Sequence, residues 1–366
     1  MWLAYSGQET ECPVHDYDPF SRGGFPVGVR TQQALDTARN RQFPCEIWYP
    51  VAASHAGHDL AREKQDVFTV APTGKRRTQA AVRDATARPG TYPLVLYSHP
   101  SGAHRRSATF LCTHLCSHGY LVAALDHSEV VAQELTRKAD ETEEQKLARW
   151  DAVIASRIPD IRFLLDYVQK TSALEPQTQI DSARIGIVGH SFGAWTALAV
   201  NDVENRIRAV VALAPGGTSK PRPGILPVKL SFEWGRDVPT MYLVAENDVA
   251  LPLSGLYETF DRTPATKRMV VLRRADHMHF VDNVEEMHEM FRQMPGPSAE
   301  VAAMQKEMLP ISELCSGEHA NLFVRGLTLG HFDAVLKDRD EAKHFLAGNL
   351  EAELAQRGVE AIVHKP

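Results

Sequence analysis

Short apolar runs recur along the middle of the chain. They are Cys45–Tyr49, Leu94–Tyr97, Leu121–Leu125, Ile185–Val188, Ala209–Leu213, Met241–Ala245 and Met269–Leu272. Several are continuously apolar rather than alternating, the pattern of parallel strands covered on both faces. Helical patterns lie between them: Ser107–Ser117, a long stretch from about Glu129 to Lys170, and Phe192–Val203. Strand–helix alternation of this kind predicts an α/β fold with a mostly parallel, doubly wound sheet. Three segments exceed that skeleton. Residues 1–40 carry weak strand signals, and 52–90 read as a polar, basic loop or hairpin excursion. Residues 284–335 have helical patterning, Val284–Met294 and then Ser298–Met308, before a final helix at about Glu341–Arg357. The run 137–146 reads as a solvated, mixed-charge helix face.

The chain has 366 residues, room for two ordinary domains or one large α/β domain. A charge of −6 gives no electrostatic footprint for nucleic acid or an anionic membrane. The five cysteines (Cys12, Cys45, Cys112, Cys116, Cys315) form neither a zinc-type ladder nor a disulfide framework. The first residues lack a signal peptide's basic and apolar regions, and no run approaches the ~18 apolar residues of a membrane span. The expectation is a cytoplasmic protein without metal or organic cofactor. Its organisation is a single catalytic domain over 1–366, with the 52–90 excursion and a 284–335 helical insertion.

Chemistry enters at Gly189-His190-Ser191-Phe192-Gly193, which follows an apolar strand and precedes a helix-forming run. G-x-S-x-G in that setting is a nucleophile elbow and points to an α/β-hydrolase fold. The turn exposes the serine hydroxyl, and the helix N-terminus offers N–H groups to developing negative charge. A carboxylate and a histidine should follow in that order. Past the strand Met241–Ala245, Asp248 is the acid expected, with Glu246 the alternative. An Asp here could instead cap the next helix. Past Met269–Leu272, His277 is nearest the strand end and is the expected general base, with His279 the competitor. The oxyanion hole needs two backbone N–H groups. Phe192 supplies one, and Ser101 the other, because Pro100 has no N–H. His99, His127 and His190 read as structural. Arg105 and Arg106 read as exposed side chains or as contacts for an anionic substrate.

With these residues in place, the chain resembles the platelet-activating factor acetylhydrolase family and its bacterial dienelactone hydrolase-like relatives. The resemblance rests on Phe25-Pro26-Val27-Gly28-Val29-Arg30, Trp48-Tyr49-Pro50, Tyr97-Ser98-His99 and the run 117–127. It continues through Arg157-Ile158-Pro159-Asp160-Ile161-Arg162-Phe163-Leu164-Leu165-Asp166, the elbow, and His277-x-x-Phe280-x-Asp282. It spans roughly 25–283. The family's His-x-x-Phe pattern favours His277 over His279. Where the family's oxyanion loop reads Ser-His-Gly-x-Gly, this chain has Pro100. The acid of the mammalian lipoprotein-associated members follows an earlier strand, aligned here with Ala209–Leu213. That strand leads into Ala214-Pro215-Gly216-Gly217, which has no carboxylate, so Asp248 stands. Ser191 argues against the cysteine chemistry of true dienelactone hydrolases. The resemblance implies hydrolysis of a small-molecule substrate, a short-acyl ester or a lactone. An acyltransferase, cyclase or amidase using the same triad, or a hydrolase-fold binding protein, are the alternatives.

Overall fold

The computed structural model describes residues 17–364 apart from 71–73, 139, 171–173 and 297. Cys12 and residues 1–16 of the predicted N-terminal strand region therefore lie outside the described residues. The strands are β1 Val27–Asp36, β2 Arg41–Pro50, β3 Asp66–Val70, β4 Lys75–Gln79, β5 Val82–Arg83, β6 Gly90–Ser98, β7 Leu121–Leu125, β8 Thr178–His190, β9 Ile207–Leu213, β10 Thr240–Ala245, β11 Lys267–Leu272 and β12 Ala361–His364. The helices are α1 Thr109–Ser117, α2 Ser128–Val131, α3 Glu143–Lys170, α4 Phe192–Ala199, α5 Leu253–Arg262, α6 Val284–Gln293, α7 Ala299–Glu307, α8 Gly317–Leu336, α9 Asp340–Ala347 and α10 Leu350–Ala355.

One sheet of order β12-β11-β10-β9-β8-β6-β7-β2-β1-β5 carries the fold. From β7 to β11 all neighbours are parallel; β2 and β12 run antiparallel to theirs. All seven apolar runs are strands of this sheet. Alternation along β6 explains why they are continuously apolar. Leu94 and Leu96 enter one core cluster, with Ile161, Leu164 and Leu165 of α3. Val95 and Tyr97 enter the other, with Leu111 of α1 and Phe323 and Leu327 of α8. Each such buried side chain contributes roughly 1.5–3 kcal/mol relative to exposure.

The structure differs from the sequence reading in the helical segments. The stretch from Glu129 to Lys170 is not one helix. α2 stops at Val131, and α3 starts only at Glu143, behind a reciprocal cap: Gln145 N donates to Thr142 Oγ1 (3.2 Å) and Thr142 N to Gln145 Oε1 (2.9 Å). The helix expected over Glu341–Arg357 breaks at Gly348, and Asn349 caps the second piece by accepting from Ala352 N at 3.1 Å. Inside 284–335, α8 lies on the sheet as a core layer. Its Gly326 is needed there, because a Cβ would stand 2.2 Å from the Phe20 ring. The 52–90 excursion is tied down: β3 and β4 form a hairpin, and β5 joins β1 at the sheet edge. Among the described residues, no helix is long and apolar enough to cross a membrane.

Candidate active site

β8 ends at His190 and α4 begins at Phe192, leaving Ser191 alone in the turn at φ 58°, ψ −118°. A non-glycine residue held there stores roughly 1–3 kcal/mol of strain. The flanking glycines make the turn possible. A Cβ on Gly189 would stand 2.2 Å from the Gly193 carbonyl oxygen, and one on Gly193 would stand 2.0 Å from that of Ser98. The elbow thus closes on itself and lies against the end of β6. Ser191 N donates to the Leu213 carbonyl at 2.9 Å, which ties the turn to β9.

Asp248 lies three residues past β10 and is buried. Its Oδ1 accepts from the amides of Ala250 (2.9 Å) and Leu251 (2.8 Å). Its Oδ2 is 2.7 Å from His277 Nδ1, and His277 Nε2 is 2.9 Å from Ser191 Oγ. A carboxylate only accepts, so Nδ1 carries the proton and Nε2 presents a lone pair to the serine hydroxyl. Burial opposes charge on His277, but the Asp248 carboxylate prevails and holds its pKa above the ordinary histidine value. The His190 ring packs against His277, centroids 4.8 Å apart, and burial keeps His190 neutral.

The two alternatives sit elsewhere. Glu246 pairs with Arg273 (3.1 Å) and accepts from Arg274 N (2.9 Å). His279 is fully buried, with Nδ1 2.8 Å from Asp276 Oδ1 and Nε2 3.2 Å from the Cys315 carbonyl oxygen. The Asp276 amide also approaches Nδ1, at 3.0 Å, but the nearer, charged carboxylate favours a protonated ring. Burial works against that charge, yet the Asp276 carboxylate and the Cys315 side chain push the His279 pKa up to about 9. Asp282 accepts from the Thr109 amide (2.8 Å) and hydroxyl (2.7 Å) and from Phe110 N (3.0 Å), capping α1 and anchoring the segment that carries His277.

The loop after β6 presents Ser101 exposed at a turn closed by Ala103 N to the Pro100 carbonyl (3.2 Å). His99 is braced: Nδ1 donates to the Pro100 carbonyl at 2.8 Å and Nε2 accepts from His127 N at 3.0 Å. His127 bridges Ser98 Oγ (2.9 Å) and Asp160 Oδ2 (3.1 Å). Arg105 and Arg106 are not set out for a substrate. Their Nε atoms donate to the buried Glu46, at 3.1 and 2.9 Å. The sequence reading missed Arg157 and Asp160 as parts of this region, although their three-residue spacing on a helix puts them on one face.

A family model described as platelet-activating factor acetylhydrolase, isoform II, matches residues 30–158. Platelet-activating factor acetylhydrolase of Gallus gallus is 24% identical over 254 residues, 56% of each chain. A solved ferulic acid esterase from Streptomyces cinnamoneus superposes with a TM-score of 0.63 at 23% identity, covering 98% of this chain and all of the other. The chain has the α/β-hydrolase fold, and part of it is similar to the platelet-activating factor acetylhydrolases. Cutinase est1 of Thermobifida alba is 23% identical over 197 residues, 53% of this chain and 55% of its own length. The chain spans about half the length of the curated relatives it matches.

Behind the elbow, Trp195 stacks on Phe192 (centroids 5.3 Å apart) and donates to the Lys229 carbonyl at 2.7 Å. This fixes the segment between β9 and β10 over α4. Arg222 of that segment reaches Glu307 at the end of α7 (2.8 Å) and the Val249 carbonyl beside Asp248 (2.7 Å). α7, the second piece of the extra helical patterning, thus leans on the rim of the site.

Proposed function

We propose that the protein is a serine hydrolase that cleaves a carboxylic ester, a short-acyl ester or lactone, through an acyl-enzyme. His277 Nε2 takes the Ser191 proton as Oγ attacks the carbonyl carbon. The oxyanion is held by the N–H groups of Phe192 and Ser101, and Asp248 steadies the imidazolium. His277 then gives the proton to the leaving alcohol oxygen. Water, deprotonated by the same nitrogen, attacks the acyl-enzyme and releases the acid and Ser191.

The observation that carries this reading is the Asp248–His277–Ser191 hydrogen-bond chain, 2.7 and 2.9 Å, at the carboxyl ends of parallel strands. Similarity to an acetylhydrolase, a cutinase and a ferulic acid esterase supports ester chemistry over other acyl chemistry. The test pairs fluorophosphonate labelling and peptide mapping with turnover of a chain-length panel of p-nitrophenyl esters and lactones. Labelled Ser191 with turnover is expected. A probe that leaves Ser191 unmodified in folded protein would refute the nucleophile. Label without turnover would instead point to transfer of the acyl group to an amine or hydroxyl.

A further inference from the structure

Arg157 is fully buried in α3. One terminal nitrogen donates to the His99 carbonyl at 2.7 Å, and the other pairs with Glu129. Its guanidinium carbon lies 4.1 Å from the centroid of the Phe192 ring, whose other neighbour in the stack is Trp195. Arg157 Nε and Glu129 Oε2 are both buried and make no hydrogen bond. A buried ion pair with loose ends is a poor source of stability, since desolvation offsets most of its attraction. Its position is more informative. The His99 carbonyl belongs to the loop carrying Ser101, and the Phe192 ring belongs to the residue after the nucleophile. At Gly193 these two pieces of backbone already touch, because a Cβ there would stand 2.7 Å from the His99 carbonyl oxygen.

Asp160, three residues along the same face, holds the next loop. Its carboxylate accepts from His127 Nδ1 (3.1 Å), Ser128 N (2.8 Å) and Ser128 Oγ (2.7 Å), and His127 is bonded in turn to Ser98 and His99. So α3 grips the ends of both β6 and β7, and Arg157 extends that grip to the elbow. We propose that Arg157 is a positioning residue for acyl transfer: it fixes the backbone donors of Ser101 and Phe192 relative to each other, through the His99 carbonyl on one side and the Phe192 ring on the other. This rests on the esterase reading above.

An arginine suits the task because its planar fork can hydrogen-bond and stack at once; a lysine cannot. Relaxing the donors should weaken binding of the tetrahedral oxyanion and spare binding of the ester ground state. The experiment measures kcat, KM and the inhibition constant of a trifluoromethyl ketone for wild type, Arg157→Met and Arg157→Lys, with thermal melts. For Arg157→Met we expect kcat to fall on the order of 10²-fold, the lower range for a lost oxyanion donor. KM should stay within about threefold, and the ketone should weaken by the same factor as kcat/KM. Arg157→Lys, which keeps the charge and should fold if methionine does not, should recover less than a tenth of the loss.

Unchanged kcat in either folded variant would overturn the proposal. So would a loss confined to KM, or full rescue by lysine. Phe192→Leu, which removes the ring and keeps the amide, should show the same kcat-specific loss, and normal turnover there would also overturn it. Absence of ester turnover in the wild type would refute the esterase reading, and this inference with it. Wild-type turnover beside an intact Arg157→Met would refute this inference alone.

Discussion

His277 and His279 are two residues apart, each is held by an aspartate, and each has its pKa raised. They differ in what the other ring nitrogen faces. For His277 it is a hydroxyl, which can give a proton. For His279 it is the Cys315 carbonyl, which can only accept one. His279 is thus drawn to donate at both nitrogens and to stay charged, a fastening between its loop and the segment before α8. His277 keeps a lone pair for the serine hydroxyl, largely shielded from solvent and aimed at a strained serine. A histidine–carboxylate pair alone does not mark a base; the second nitrogen's partner decides.

The comparison breaks first under alanine. His277→Ala should lower kcat by on the order of 10⁴–10⁶, as removing a triad histidine does. His279→Ala should stay within about tenfold and instead lower the melting temperature, and similar kinetic losses in both would abolish the distinction. Next come the carboxylates. Asp248→Asn should cost about 10⁴ in kcat through the wrong tautomer. Glu246→Gln, at a partly exposed ion pair, should cost less than about twofold.

The pH behaviour sharpens the contrast. Protonated His277 cannot take the Ser191 proton, and Asp248 raises its pKa. The acid limb of kcat/KM should therefore lie above pH 6.5, and neutralising Asp248 should move it down; a limb below 6.5 in the wild type would contradict the pairing. For His279 the readout is stability. Its pKa rises from 6.5 unfolded to about 9 folded. Its contribution is fully present below pH 6.5 and is lost as pH rises through about 9, on the order of 3 kcal/mol over the window. Urea midpoints should fall across that range in the wild type and much less in His279→Gln. Equal slopes would mean the ring is neutral in the folded protein.

The sheet's interior was legible because burial on both faces removes alternation. β1, by contrast, is an edge-side strand with polar Arg30, Thr31, Gln32 and Gln33, so no apolar run betrays it. β4, Lys75–Gln79, is more polar still. The late start of α3 was available in Thr142 and Gln145, whose spacing is a capping box, but the charged run 137–146 hid it. α8 was obscured by Gly326 and Gly330, which serve close contacts with Phe20 and Phe345 that no local pattern shows. At the site, the elbow motif and the strand-end rule pointed to Ser191, Asp248 and His277. Arg157 lay beyond such reading, because its partners come from segments 58 and 35 residues away, at His99 and Phe192.

β12 pairs along the second part of β11, Met269 with His364 through Leu272 with Ala361. The strand it covers is the one that leads to His277. Trimming those few C-terminal residues would expose the open hydrogen-bonding rim of β11 to other molecules. The first symptom should be concentration-dependent precipitation, with catalysis failing only as soluble protein disappears.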